Sequence, residues 1–168
     1  MRLFIAINFP VETRAALAKI RDNLKASAVR GNFTFDENLH LTLVFLGECD
    51  IPQTEVIKAV IAETVFPEFT LTLEKIGYFK RNGGNTWWVG LKENSALSAL
   101  HTDLFKRLKQ NGFVIEDRKY SPHVTLGREV KIRAGFVLPE VPQVSFCVQN
   151  IDLMKSERIN GKLAYAKV

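Results

Sequence analysis

Apolar and polar positions follow two periods along this chain, and the changes of period outline its elements. Arg2 to Asn8 is an apolar run with β-branched and aromatic members, the pattern of a buried strand. Pro10 suits a first helical turn, and Leu17, Ile20 and Leu24 then recur at helical spacing to about Val29. "RGNFTFDENLH" carries a Gly-Asn turn signal and a short strand, and "HLTLVFLG" is a strand closed by Gly47. "DIPQTEVIKAVIAETV" opens on Pro52 and reads as a second helix. Phe69 to Ile76 alternates as a strand, "KRNGGN" is a hairpin loop, and "TWWVGL" is the return strand. A third helix runs from a cap at Asn94 or Ser95 to Gln110, stopped by Asn111-Gly112. "YSPHVTLGR" and Val144 to Lys155 are strands, and Asn160-Gly161 is a type I′ turn into a last strand over Leu163 to Val168. The predicted order is β-α-β-β-α-β-β-α-β-β-β. Strands joined by short turns favour antiparallel pairing, so the class is α+β rather than doubly wound α/β. No glycine-rich nucleotide loop interrupts it.

Two of these strands share a pattern. His40-Leu41-Thr42-Leu43 and His123-Val124-Thr125-Leu126 both read His-apolar-Thr-apolar, in a chain with three histidines. A given histidine falls in that pattern by chance roughly 1% of the time at ordinary apolar usage, so two of three is a signal. The copies stand about half a chain apart, each after a helix, as in a fold built from two similar lobes within one domain over residues 1–168. On a strand, residues i and i+2 share a face. His40 and Thr42 point one way and their leucines the other, and the second copy repeats this.

Two imidazoles and two hydroxyls converging on one cleft suit a phosphate ester. Near neutral pH one histidine can take a proton from water while the other gives one to a leaving alkoxide. Threonine hydroxyls can donate to the non-bridging oxygens, where negative charge accumulates. Which histidine is acid and which is base is left open by the motif itself. His101 lies outside the pattern, at the flank of the Leu97, Leu100, Leu104 and Leu108 stripe, and reads as structural.

Composition narrows this little. With 168 residues, 46% apolar and 24% charged, the chain has the make-up of a compact globular domain. A net charge of +5 permits a polyanionic partner without requiring one. Cys49 and Cys147 form no metal-binding spacing and are expected to be buried, reduced thiols of a cytoplasmic protein. No metal site and no cofactor are expected from the His, Cys and carboxylate spacings. The first residues carry no cleavage signature, and no run of 18 apolar residues occurs.

"ENLHLTLVFLGE" and "DRKYSPHVTLGR" resemble the two signature segments of the 2H phosphoesterases, and in particular the RNA 2′,3′-cyclic phosphodiesterases, also called 2′-5′ RNA ligases. "RLFIAINFP", "WWVGL" and "SERINGKLAYAKV" fit the same pattern. The resemblance implies a bilobal, pseudo-twofold α+β fold, two antiparallel sheets forming a central cleft with helices outside. It implies metal-independent hydrolysis of a 2′,3′-cyclic phosphate RNA end to a 2′-phosphomonoester, with ATP-independent 2′-5′ ligation as the reverse. His40 is then the proton donor and His123 the proton acceptor, with Thr42 and Thr125 on the phosphate. Arg118 and Arg128 also look like family positions for phosphate contact. Strand parity puts Arg128 on the face opposite His123, so it reaches the cleft only through a twist or bulge, for which Gly127 is the place. The expected partner is an RNA end, with no membrane, and the expected state is a monomer. A small cyclic nucleotide or ADP-ribose cyclic phosphate as substrate, or a non-catalytic module binding RNA ends, are the alternatives. Phe4, Tyr78, Phe79, Trp87, Trp88 and Tyr120 are candidate base platforms, and the "FKRNGG" loop is more simply a solvated tip.

Overall fold

The computed structural model describes residues 1–168. In chain order the elements are β1 (Arg2–Asn8), α1 (Val11–Ala26), β2 (Ala28–Phe33), β3 (His40–Glu48), α2 (Ile51–Glu63), β4 (Phe69–Phe79), β5 (Asn85–Leu91), α3 (Ser95–Gln110), β6 (His123–Ile132), β7 (Ser145–Val148), β8 (Asp152–Ile159) and β9 (Lys162–Lys167). A single 3-10 turn, Asp36–Asn38, leads into β3.

Local chemistry sets most boundaries. α1 starts directly after Pro10. α2 opens with a capping box, in which the Asp50 carboxylate accepts from the Gln53 backbone N–H and the Gln53 side chain accepts from that of Asp50. The Asn94 side chain accepts from Leu97 N–H at the start of α3. Asn160 and Gly161 both have positive φ, the type I′ geometry that joins β8 to β9.

The strands form two antiparallel sheets, in the orders β3-β1-β8-β9 and β2-β6-β5-β4-β7. α1 packs on β2 and β6, while α2 and α3 pack together behind β8 and β3. β1 is buried on both faces, which is why its sequence is a continuous apolar run. Leu3, Ile5 and Ile7 enter the main core, while Phe4 and Ala6 join Met154 in a smaller cluster on the opposite face.

Three expectations change. Val144 to Lys155 is not one strand. The chain leaves the five-stranded sheet after β7 and enters the four-stranded sheet at β8, with Gln149 and Asn150 exposed at the crossing. Gly31-Asn32 does not turn, because this stretch lies inside β2, held in register against β6 with Asn32 opposite Arg128. Cys147 is exposed while Cys49 is buried. On β7 Phe146 and Val148 take the inward face, leaving Cys147 outside.

Candidate active site

The alternation expected of the two motifs holds. Leu41, Leu43, Val124 and Leu126 are buried, and His40, Thr42, His123 and Thr125 are half-buried on the other faces of β3 and β6. These strands belong to different sheets and meet across the cleft. Tyr120 bridges them, its hydroxyl donating to the Thr42 carbonyl at 3.0 Å while its ring stacks on His101 at 3.9 Å.

The two imidazoles are held in the same way. His40 Nδ1 lies 2.7 Å from the Asn38 carbonyl oxygen, and His123 Nδ1 lies 2.8 Å from that of Ser121. A carbonyl can only accept, so each Nδ1 carries the proton and the Nε2 of each neutral ring is an acceptor. The Nε2 atoms differ in their neighbours. That of His40 is 2.9 Å from Thr42 Oγ1, whereas that of His123 makes no hydrogen bond within the protein.

Aromatic walls flank each ring. His40 lies against Phe4 at 4.8 Å and edge-on to Tyr165 at 5.0 Å. His123 lies edge-on to Phe79 at 5.0 Å, with Trp88 at 6.4 Å. Burial lowers the pKa of His40, and the charges of Arg128 and His123 lower it further against the opposing Asn38 hydrogen bond. Burial likewise lowers that of His123, joined by Arg128 and Arg118 and opposed by the Ser121 hydrogen bond. Beside His40, Asn8 stands opposite it in register and donates to the Asp152 carboxylate at 2.8 Å, which also pairs with Lys167.

Arg128 reaches the cleft side by an irregularity in β6. Trp87 pairs with Gly127 but its neighbour Trp88 pairs with Thr125, so Leu126 is an extra residue in the ladder. A second extra residue follows, since Arg30 pairs with Lys131 and Asn32 with Arg128, and Glu129 there has φ of 54°. The first bulge reverses the parity between His123 and Arg128, and the Arg128 charge acts on both histidines. Arg118 is exposed, pairs with Glu116 at 3.5 Å, and adds to the lowering at His123.

The candidate platforms divide by strand face. Phe4, Phe79 and Trp88 border the histidines, Trp87 belongs to the core with Tyr78 on it, and Tyr120 stacks on His101. Asn38 and Tyr165 were not singled out by sequence. The signal for Asn38 was its place two residues before His40. Tyr165 had none beyond alternation in a final strand. No group of three or more His, Cys, Asp or Glu side chains is arranged to hold a metal ion, and no helix is long and apolar enough to cross a membrane.

A family profile described as the 2′-5′ RNA ligase superfamily matches residues 9–160, which include both His-Thr strands. The chain belongs to this superfamily. Among its relatives, the RNA 2′,3′-cyclic phosphodiesterase of Thermotoga maritima is 35% identical over 131 residues, covering 76% of this chain and 70% of that one. The protein of the same name from Escherichia coli is 29% identical over 165 residues, covering 98% and 92%. A crystal structure of E. coli LigT complexed with 3′-AMP matches at a TM-score of 0.87 and 29% identity, over 99% of this chain and 94% of that one. The two-sheet α+β arrangement is thus the 2H phosphoesterase fold that the motifs implied.

Proposed function

We propose that this protein is a metal-independent RNA 2′,3′-cyclic phosphodiesterase. The carrying observation is the pair of imidazoles, each fixed through Nδ1 by a backbone carbonyl two residues upstream on strands that meet across one cleft. Membership of the superfamily and the names of the relatives support the choice of substrate.

In this reading, water attacks phosphorus from the His123 side. The neutral Nε2 of His123 takes the water proton as the new P–O bond forms. The bond to the 3′ oxygen breaks, and that oxygen takes a proton from Nε2 of His40. The products are a 2′-phosphomonoester and a 3′-hydroxyl, and proton exchange with solvent resets the two rings. Thr42 couples to the acid. Before transfer the Nε2–H of protonated His40 rests on Thr42 Oγ1, which leaves the hydroxyl proton to point at a non-bridging oxygen, and the Nε2–H turns to the 3′ oxygen as the bond breaks. Thr125 and Arg128 serve the remaining phosphate charge, Arg128 through its forked donors. Arg118 supplies only a distant field. A 5′-hydroxyl in place of water gives a 2′-5′ link by the same steps, driven by ring strain without ATP. One chain supplies every group, so the proposed site is complete without a second subunit.

The test is hydrolysis, with EDTA present, of a short RNA ending in a 2′,3′-cyclic phosphate. Wild type is expected to yield the 2′-phosphate, and His40→Ala and His123→Ala each to lose about 10²–10⁴-fold or more in kcat. Near-normal turnover in either variant overturns the two-histidine mechanism.

A further inference from the structure

A cavity of about 650 Å³ opens between the outer strands of the two sheets, β2 on one side and β9 on the other. It shares Arg128 and Tyr165 with the catalytic cleft, so the two are continuous. Its volume is that of a site for one nucleotide-sized ligand. Four cations line it, Lys25, Arg128, Arg158 and Lys162, against one carboxylate, Glu129. That carboxylate already accepts from the Asn32 side chain at 2.6 Å. None of the four cations forms an ion pair. Phe35, 43% exposed, presents its ring at the wall with the Lys162 ammonium 5.8 Å from its centroid.

An unpaired set of cations beside an exposed ring is the chemistry of single-stranded nucleic acid, one negative charge and one π face per residue. The substrate's geometry demands such a partner on one side only. A terminal cyclic phosphate closes the 3′ end, so any further RNA leaves the cleft through the 5′ oxygen of the last nucleotide. A second cavity, by the β4–β5 hairpin, includes Trp87. Its strand neighbour Trp88 faces His123, so that cavity lies on the other side of the sheet.

Resting on the proposed phosphodiesterase activity, we propose that this trench binds the nucleotide preceding the cyclic phosphate, its base on Phe35 and its phosphodiester among Lys162, Arg158 and Lys25. The enzyme then selects RNA strands over mononucleotide cyclic phosphates, and the selection resides outside the catalytic residues.

The experiment compares kcat/KM on adenosine 2′,3′-cyclic phosphate and on a tetranucleotide RNA with the same end. Wild type, Phe35→Ala, the double variant Arg158→Ala/Lys162→Ala and the charge control Lys106→Ala on α3 are measured. Wild type is expected to favour the tetranucleotide. Phe35→Ala and the double variant are each expected to cut that preference roughly 10- to 100-fold, with Lys106→Ala close to wild type. The slope of log kcat/KM against log salt on the tetranucleotide should flatten in the double variant by about 0.7 for each phosphate it no longer neutralises. Turnover of both substrates without preference, or a preference that survives both variants, overturns the trench and leaves the phosphodiesterase standing. Turnover of neither by wild type overturns both.

Discussion

Asn38 is the side chain on which the placement of His40 turns. It is 4% exposed and lies in the 3-10 turn before β3. Its Nδ2 donates to the Leu163 carbonyl at 2.8 Å, its Oδ1 accepts from Tyr165 N–H at 3.2 Å, and its backbone carbonyl accepts from His40 Nδ1 at 2.7 Å. β9 is an outer strand, so Asn38 acts as its missing neighbour, tying Tyr165 and His40 into one unit. In Asn38→Ala one C=O and one N–H lose their partners. At about 1–3 kcal/mol for each unsatisfied group, discounted because the site is part-buried and admits water, the loss is about 2–4 kcal/mol. For a domain of this size that lowers Tm by roughly 5–15 °C. The backbone acceptor for His40 survives but is no longer anchored, so kcat falls by roughly 10- to 100-fold. Asn38→Asp keeps the shape and the acceptor for Tyr165 N–H, sets a carboxylate oxygen against the Leu163 carbonyl, and adds negative charge near His40. It is expected to destabilise and also to move the alkaline limb of the pH–rate profile upward, which Asn38→Ala does not. Thermal melting, with kcat and its pH dependence on the cyclic phosphate substrate, reads all three effects. An Asn38→Ala protein that melts within a degree of wild type and keeps its kcat refutes the reasoning, as does an Asn38→Asp profile whose alkaline limb stays in place.

Burial lowers the pKa of both catalytic candidates, so the bell of kcat/KM against pH is expected to lie on the acid side of about 6.5, the ordinary histidine value. Arg128→Ala removes a charge that lowers both and shifts both limbs upward, while Arg118→Ala moves the limb belonging to His123. The same depressed values make the stability contributed by these two neutral rings fully present above about pH 6.5 and lost as pH falls through the folded-state values, checked by urea melts along a pH series of wild type and the His40→Ala and His123→Ala variants. Gly77→Ala sets a Cβ 2.3 Å from Trp88 Cη2, where contact begins near 3.4 Å, so the indole that borders His123 must shift. A loss of about 1–3 kcal/mol in urea melts, with reduced kcat, is expected, and Trp88→Leu in the same chain should recover stability. Tyr120→Phe removes the hydroxyl on the Thr42 carbonyl and is expected to cost about 1–3 kcal/mol, read by thermal melting.

The parts of the site legible in sequence were those set by spacing alone. His40 and Thr42, and His123 and Thr125, follow from two-residue parity, and the helix ends follow from Pro10, Asn94 and Asn111-Gly112 acting within a few residues of themselves. What escaped depends on registers between distant strands. Arg128 changes faces because β6 carries one extra residue, Leu126, between it and His123, and only the pairing of Trp87 and Trp88 counts it. The sequence marked Gly127 as a place for a bulge but had no sign that Glu129 would supply another. The break between β7 and β8 at Gln149-Asn150 carries no Gly or Pro to mark it, and which sheet each strand joins is decided only by pairing with β4 or β1. Asn38 and Tyr165 matter through contacts between the turn before β3 and the last strand, far apart in the chain.

The strand orders also bear on how the protein comes into being. The sheet that carries His40 is completed by β8 and β9, and the sheet that carries His123 takes β2 from before the first motif. Neither half of the chain holds a whole sheet, so neither can close its core by itself. Arg2 must find Ser156, and Ala28 must find Ile132, before the layers lock. Pairings of such long sequence separation carry a large loop-closure cost and make folding slow. A nascent chain that has reached the second motif still has an open edge at β1, where β8 belongs. Both imidazoles then enter their final surroundings together and late. A chain that ends ahead of β8 lacks the strand beside β1 and with it the floor under His40, so catalysis is expected only once β8 is in place.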